Sequence, residues 1–247
     1  MDIKQYLDST YLKTAEQAGV TDEENILIAQ ELIQEAIEEN FKLIMIRPNR
    51  VALAKAMILK AKSTVQVGTV IDIPKGKSEV EEKLKEAVQA IHDGADDLDF
   101  VCNYEAFKKG DIDLVKKEVL QCTQLGLANK KVVKWIIEVA ALADKEIIQL
   151  SSLIKNVIVS NFEQELFSRV FVKSSTGFYK TQNDLPNGAT VPAIKMMLEN
   201  ASPLPVKAAG GVRTYGEAIE MIEMGVKRIG TSGAKMIANG QNFNNEY

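Results

Sequence analysis

Histidine and cysteine are scarce in this chain: one His and two Cys among 247 residues. Cys102 and Cys122 are too few for a disulfide framework, and no cysteine–histidine spacing suits a metal. His92, in AIHDGAD, reads as a surface residue at a helix end, so neither imidazole acid–base chemistry nor a histidine metal set is on offer. No metal and no cofactor are expected. An excess of basic residues is also missing. With a net charge of −4 and a pI near 5.3, the chain has no footprint for nucleic acid or an anionic membrane. No apolar run approaches the roughly 20 residues of a membrane helix. MDIKQYLDST lacks a signal-like apolar stretch, and a reduced, cytoplasmic protein is expected. Neither G-x-G-x-x-G behind the first strand nor a Walker-type lysine loop occurs, which argues against a doubly wound nucleotide fold.

What the chain does have is a set of short apolar, β-branched runs. They are YLDSTYL (6–12), KLIMIRP (42–48), VQVGTVI (65–71), DLDFVC (97–102), VVKWIIEV (132–139), RVFVKSS (169–175), PVKAA (205–209) and VKRIGTS (226–232). Amphipathic segments separate them. Thr21 with Glu24, Ser78 with Glu81 and Thr214 with Glu217 fit the capping-box pattern of helix starts. The segment from Ser78 sets Val80, Leu84, Ala87, Val88 and Ile91 on one face, as a helix lying on a sheet requires. Eight strand–helix units predict a closed (β/α)8 TIM barrel in a single domain over 1–239, with GQNFNNEY (240–247) as a flexible polar tail.

Several of these strands carry a charge where an apolar residue belongs: Asp99 in DDLDFVC, Lys134 in VVKWIIEV, Lys173 in VFVKSSTGF and Lys207 in PVKAAGGVRT. A lysine in a core costs several kcal/mol unless its charge is balanced. Strand alternation puts Lys134 on the side of Glu138, and Asp99 on the side of Asp97. If all face inward they compensate one another at the carboxyl ends of the strands, where barrel active sites form. A lysine whose ammonium is disfavoured by burial or by a second cation is a nucleophile toward aldehydes and ketones, and Lys173 and Lys207 on adjacent strands fit such a pair. The resulting iminium is an electron sink for carbon–carbon bond chemistry. Gly210 and Gly211 after the seventh strand, and Gly230, Thr231, Ser232 and Gly233 after the eighth, suit an anion held by backbone N–H groups.

LDSTYLK, GADDLDFV, VVKWIIE, VKSSTGF, VKAAGGVRT and RIGTSG, in this order over nearly the whole chain, resemble the deoxyribose-phosphate aldolases, class I enzymes of the (β/α)8 type. The resemblance implies reversible cleavage of 2-deoxyribose 5-phosphate to glyceraldehyde 3-phosphate and acetaldehyde. It makes Lys173 the Schiff-base nucleophile, Lys207 the lysine that depresses its pKa, Asp99 the acid–base partner acting through water, and Lys134 the support of Asp99. Asp8 and Thr10 would line the pocket. Phosphate contacts would come from Gly177, Gly210, Gly211, Arg213, Ser232 and Gly233. The terminal Tyr247 resembles a tail tyrosine that assists proton transfer in some members. Phe178 stands where some relatives have a lysine, and Gly233 where a second serine is frequent. The segment 144–169 departs from the family's usual fifth-helix pattern, and a homodimer is kept as one expected assembly. A non-catalytic sugar-phosphate-binding barrel is the competing class; it would have lost a member of the charged set, and none is lost.

Overall fold

The computed structural model describes residues 2–181 and 186–241. Its strands are β1 (Leu7–Tyr11), β2 (Leu43–Ile46), β3 (Gln66–Ile71), β4 (Asp97–Val101), β5 (Val132–Ile136), β6 (Val170–Lys173), β7 (Val206–Ala209) and β8 (Arg228–Thr231). Each falls inside one of the eight runs read from the sequence. All pair in parallel with their chain neighbours, and β8 pairs with β1. The sheet therefore closes into a (β/α)8 barrel without an edge.

The helices are α1 (Ala15–Ala18), α2 (Asp22–Glu39), α3 (Val51–Lys60), α4 (Val80–His92), α5 (Tyr104–Lys108), α6 (Ile112–Ala128), α7 (Asp144–Asn161), α8 (Val191–Ala201), α9 (Tyr215–Met224) and α10 (Ala234–Ala238). Reciprocal capping boxes open α2 at Thr21–Glu24 and α9 at Thr214–Glu217, as the sequence indicates. Ser78 does not cap α4. Its hydroxyl and amide both bind the Asp72 carboxylate at 2.8 Å, and the helix starts behind Glu79 without a side-chain cap. The face of α4 is also rotated from the apolar count: Val88 is exposed, and Lys83 is buried in its place. The compensation is Glu118 on α6, 2.5 Å from Lys83 Nζ, with the carbonyls of Gly76 and Val101 accepting at 2.9 Å. Segment 144–169, despite its unusual sequence, forms the 18-residue α7 followed by a 3-10 turn, Gln164–Arg169.

Packing decides which strand residues point inward. Trp135 and Phe100 stack at 5.2 Å between ring centroids, and Trp135 Nε1 donates to Thr123 Oγ1 of α6 at 3.0 Å. These two therefore face the helical layer. Their strand neighbours Asp99 and Lys134 face the barrel interior, because successive side chains alternate across a sheet.

Candidate active site

The inward charges meet around Asp99. Its Oδ1 lies 2.7 Å from Lys134 Nζ, and its Oδ2 lies 2.9 Å from Lys173 Nζ and 3.0 Å from Lys207 Nζ. Register explains the convergence: Asp99 is paired with Lys134 across β4 and β5, and Lys173 with Lys207 across β6 and β7. A second tier completes the cluster. Lys134 also binds Asp97 at 2.7 Å, Lys207 binds Asp8 at 2.5 Å, and Arg228 holds Asp8 from β8 with Nε at 2.7 Å. Gly230 makes room for this arrangement, since a Cβ there would stand 3.1 Å from Lys207 Cε.

Four cations, Lys134, Lys173, Lys207 and Arg228, thus face three carboxylates, Asp8, Asp97 and Asp99. Such a cluster is neutral when one lysine gives up its proton, and the electrostatics identify that lysine. Burial, followed by the positive charge of Lys207, brings the Lys173 amine down to about 8 against the opposing pull of Asp99. Lys134 behaves in the opposite way. Burial disfavours its charge, but Asp97, Asp99 and Asp8 outweigh that and raise its pKa. Burial likewise pushes Asp99 up, yet Lys134, Lys173 and Lys207 together hold its carboxyl well below the ordinary range. Exposure makes the same distinction: Lys173 is 3% exposed, whereas Lys134 and Lys207 are at 0%. Of the three lysines, Lys173 alone keeps any solvent exposure.

The residues after Lys173 shape the carboxyl end of β6. Ser174 Oγ donates to the Ala209 carbonyl at 2.7 Å and accepts the Ala209 amide at 2.9 Å, joining the ends of β6 and β7 beyond the regular ladder. Gly177 (φ 87°) and Gly211 (φ 91°) have left-handed backbones, and no atom beyond the adjacent residues lies within 4 Å of where a Cβ would project, so space is open beside either turn. Gly210 shares the positive φ, Arg213 is exposed, and Ser232 is half-buried. The Gly233 amide donates to Thr231 Oγ1 at 3.1 Å, so in this arrangement it is used within its own turn. Asp8 is fully buried, while the Thr10 hydroxyl donates to the Asp8 carbonyl at 2.9 Å. Tyr247 lies outside the described residues.

The sequence reading missed Arg228. It is the first residue of β8, and its same-side neighbour two positions on is Gly230, which has no side chain to mark the inward face. Asp97 was marked only as sharing a side with Asp99, and its contact with Lys134 makes it part of the charge balance.

A parallel barrel whose interior holds a buried lysine–aspartate cluster, with Lys173 at the carboxyl end of β6, defines an aldolase type of barrel enzyme. The model of the DeoC/LacD family aldolases matches residues 12–240, and the chain belongs to this family. It is 38% identical to the deoxyribose-phosphate aldolase of Thermococcus gammatolerans over 241 residues, 97% of this chain and 96% of the relative. The solved structure of QR15, an aldolase, superposes with a TM-score of 0.80 at 30% identity, covering 97% of this chain and 95% of that one. A tetrameric deoxyribose phosphate aldolase from Aeropyrum pernix gives a TM-score of 0.76 at 26% identity, covering 96% and 89%. Among the described residues no group of His, Cys, Asp and Glu is arranged to hold a metal ion, and no helix is long and apolar enough to cross a membrane.

Proposed function

We propose that the chain is a 2-deoxy-D-ribose 5-phosphate aldolase that cleaves its substrate reversibly through a Schiff base on Lys173. The observation that carries this reading is Lys173 itself, the lowered amine of the cluster and the one lysine of the three that keeps any solvent exposure. The neutral amine attacks the aldehyde carbon of the open-chain sugar, and loss of water leaves an iminium. Removal of the proton from the 3-hydroxyl then lets the C2–C3 electron pair move into the enamine, with the iminium nitrogen as the sink. Glyceraldehyde 3-phosphate departs, the enamine carbon takes up a proton, and water releases acetaldehyde from the lysine. Asp99 is the base that moves these protons through a water molecule, since its carboxylate is ionised and 2.9 Å from the reacting nitrogen.

The relatives' name supplies the substrate, and the open turns at Gly177 and Gly211, with Gly210, Arg213 and Ser232, suit its phosphate. Asp8 acts beneath the pocket by holding Lys207, and Tyr247 is retained as a proton-transfer assistant from the tail. The metabolic setting that fits is cytoplasmic breakdown of deoxyribose phosphate from deoxyribonucleotides, in keeping with two buried, unpaired thiols. An assay coupled to glyceraldehyde 3-phosphate tests the activity, and its pH dependence tests the mechanism. The ammonium is inactive and its pKa is about 8, so kcat/KM should rise with pH and level off above that value. A rate that falls steadily from pH 6 to pH 9 would contradict the role of the free amine.

A further inference from the structure

Glu138, just beyond β5, has a left-handed backbone, φ 55° and ψ 66°, which a residue with a Cβ adopts rarely and retains where its surroundings compensate. The residue is 1% exposed. The compensation is contact with the turn that follows Lys173. Glu138 Oε2 accepts the Thr176 hydroxyl at 2.5 Å and the Thr176 amide at 3.3 Å, and the same hydroxyl oxygen accepts the Phe178 amide at 3.0 Å. On either side of Glu138 the backbone stays in step with β6, with the Ile137 amide on the Lys173 carbonyl at 3.0 Å and the Val139 amide on the Ser174 carbonyl at 2.9 Å. The charge of Lys173 and the phenol of Tyr104 lie within electrostatic reach of the same carboxylate. A strained residue thus joins the end of β5 to the turn 174–178, whose first neighbour is the nucleophile and whose apex is Gly177.

We propose that Glu138 is a positioning residue that sets substrate specificity: by clamping Thr176 it fixes the spacing between the Lys173 amine and the Gly177–Phe178 backbone. The spacing selects a carbonyl compound by the distance from its reacting carbon to its anionic end, and this consequence rests on the function proposed above. The clamp requires an acceptor oxygen at Glu138 and a hydroxyl at Thr176. Charge at position 138 is not required, because a glutamine carbonyl accepts the same two bonds.

The test compares Glu138→Ala, Glu138→Gln and Thr176→Val on deoxyribose 5-phosphate and on phosphate-free 2-deoxyribose, together with hydrogen exchange at the Phe178 amide. Glu138→Ala and Thr176→Val should raise KM for the phosphorylated sugar by about tenfold or more, the effect of losing buried hydrogen bonds, while KM for 2-deoxyribose and trapping of acetaldehyde on Lys173 change little. Glu138→Gln should keep wild-type selectivity, and protection of the Phe178 amide should fall in the alanine and valine variants but not in the glutamine variant. An equal rise in KM for both sugars, a glutamine variant that behaves like alanine, or unchanged protection in both disruptive variants would overturn the proposal. Failure of the wild type to cleave deoxyribose 5-phosphate would remove the proposed function and the specificity that rests on it, whereas the exchange measurement still reads the clamp without turnover.

Discussion

Asp99→Asn should lower kcat by about 10²- to 10⁴-fold while leaving Schiff-base formation on Lys173 intact, the range expected for loss of a positioned acid–base group. The two effects separate because Asp99 acts on Lys173 in two opposed ways. Its charge, 2.9 Å away, raises the amine's pKa, so neutralising it frees more amine at pH 7. The same substitution removes the carboxylate that relays protons. Trapping of acetaldehyde should therefore proceed at least as readily as in the wild type while turnover collapses. The variant should also lose stability, since Lys134 and Lys207 are left facing Asp97 and Asp8 without their shared partner. About 3 kcal/mol is the scale for breaking a buried ion pair, and denaturant unfolding would read it. Turnover within a few fold of wild type, or trapping lost in parallel, would contradict this division of roles.

Lys207→Leu should lower kcat/KM at pH 7 by about 10- to 100-fold, through protonation of Lys173 rather than through lost substrate contacts. Lys207 is fully buried, and its nitrogen shares Asp99 Oδ2 with Lys173. Its removal takes a like charge away and leaves more of the Asp99 charge to the Lys173 ammonium. Both changes raise the Lys173 pKa above about 8, and each unit of rise costs about tenfold in free amine at neutral pH. Burial, the larger cause of the lowered value, persists in the variant, which limits the shift to about one or two units. The acid limb of kcat/KM should move upward by that amount, with the rate recovering toward alkaline pH. A large loss with an unmoved limb would show that Lys207 acts by another route.

The charged centre was legible because Asp99, Lys134, Lys173 and Lys207 each interrupt an apolar strand, and strand alternation is a local rule. Helix starts at Thr21 and Thr214 were legible for the same reason, since a capping box is complete within four residues. Features that depend on distant partners were not. Lys83 is buried because Glu118, 35 positions further on, neutralises it, and a helical count of apolar residues placed Val88 there instead. Ser78 was drawn from helix capping by Asp72, six positions earlier and across a turn. Arg228 opens its strand with Gly230 as its same-side neighbour, so no apolar alternation displayed its direction. The left-handed backbone of Glu138 had no signal either, because glycine or asparagine is what a sequence normally shows at such a position.

Borohydride reduction in the presence of acetaldehyde, followed by peptide mass mapping, tests the central claim most directly. The imine formed by acetaldehyde on a lysine is converted by hydride to a stable secondary amine. The account predicts a single ethyl adduct on Lys173, the lysine whose amine is lowered to about 8 and the only one of the three that is not fully buried. An adduct on Lys207 or Lys134, or no adduct in a protein that cleaves deoxyribose 5-phosphate, would contradict it.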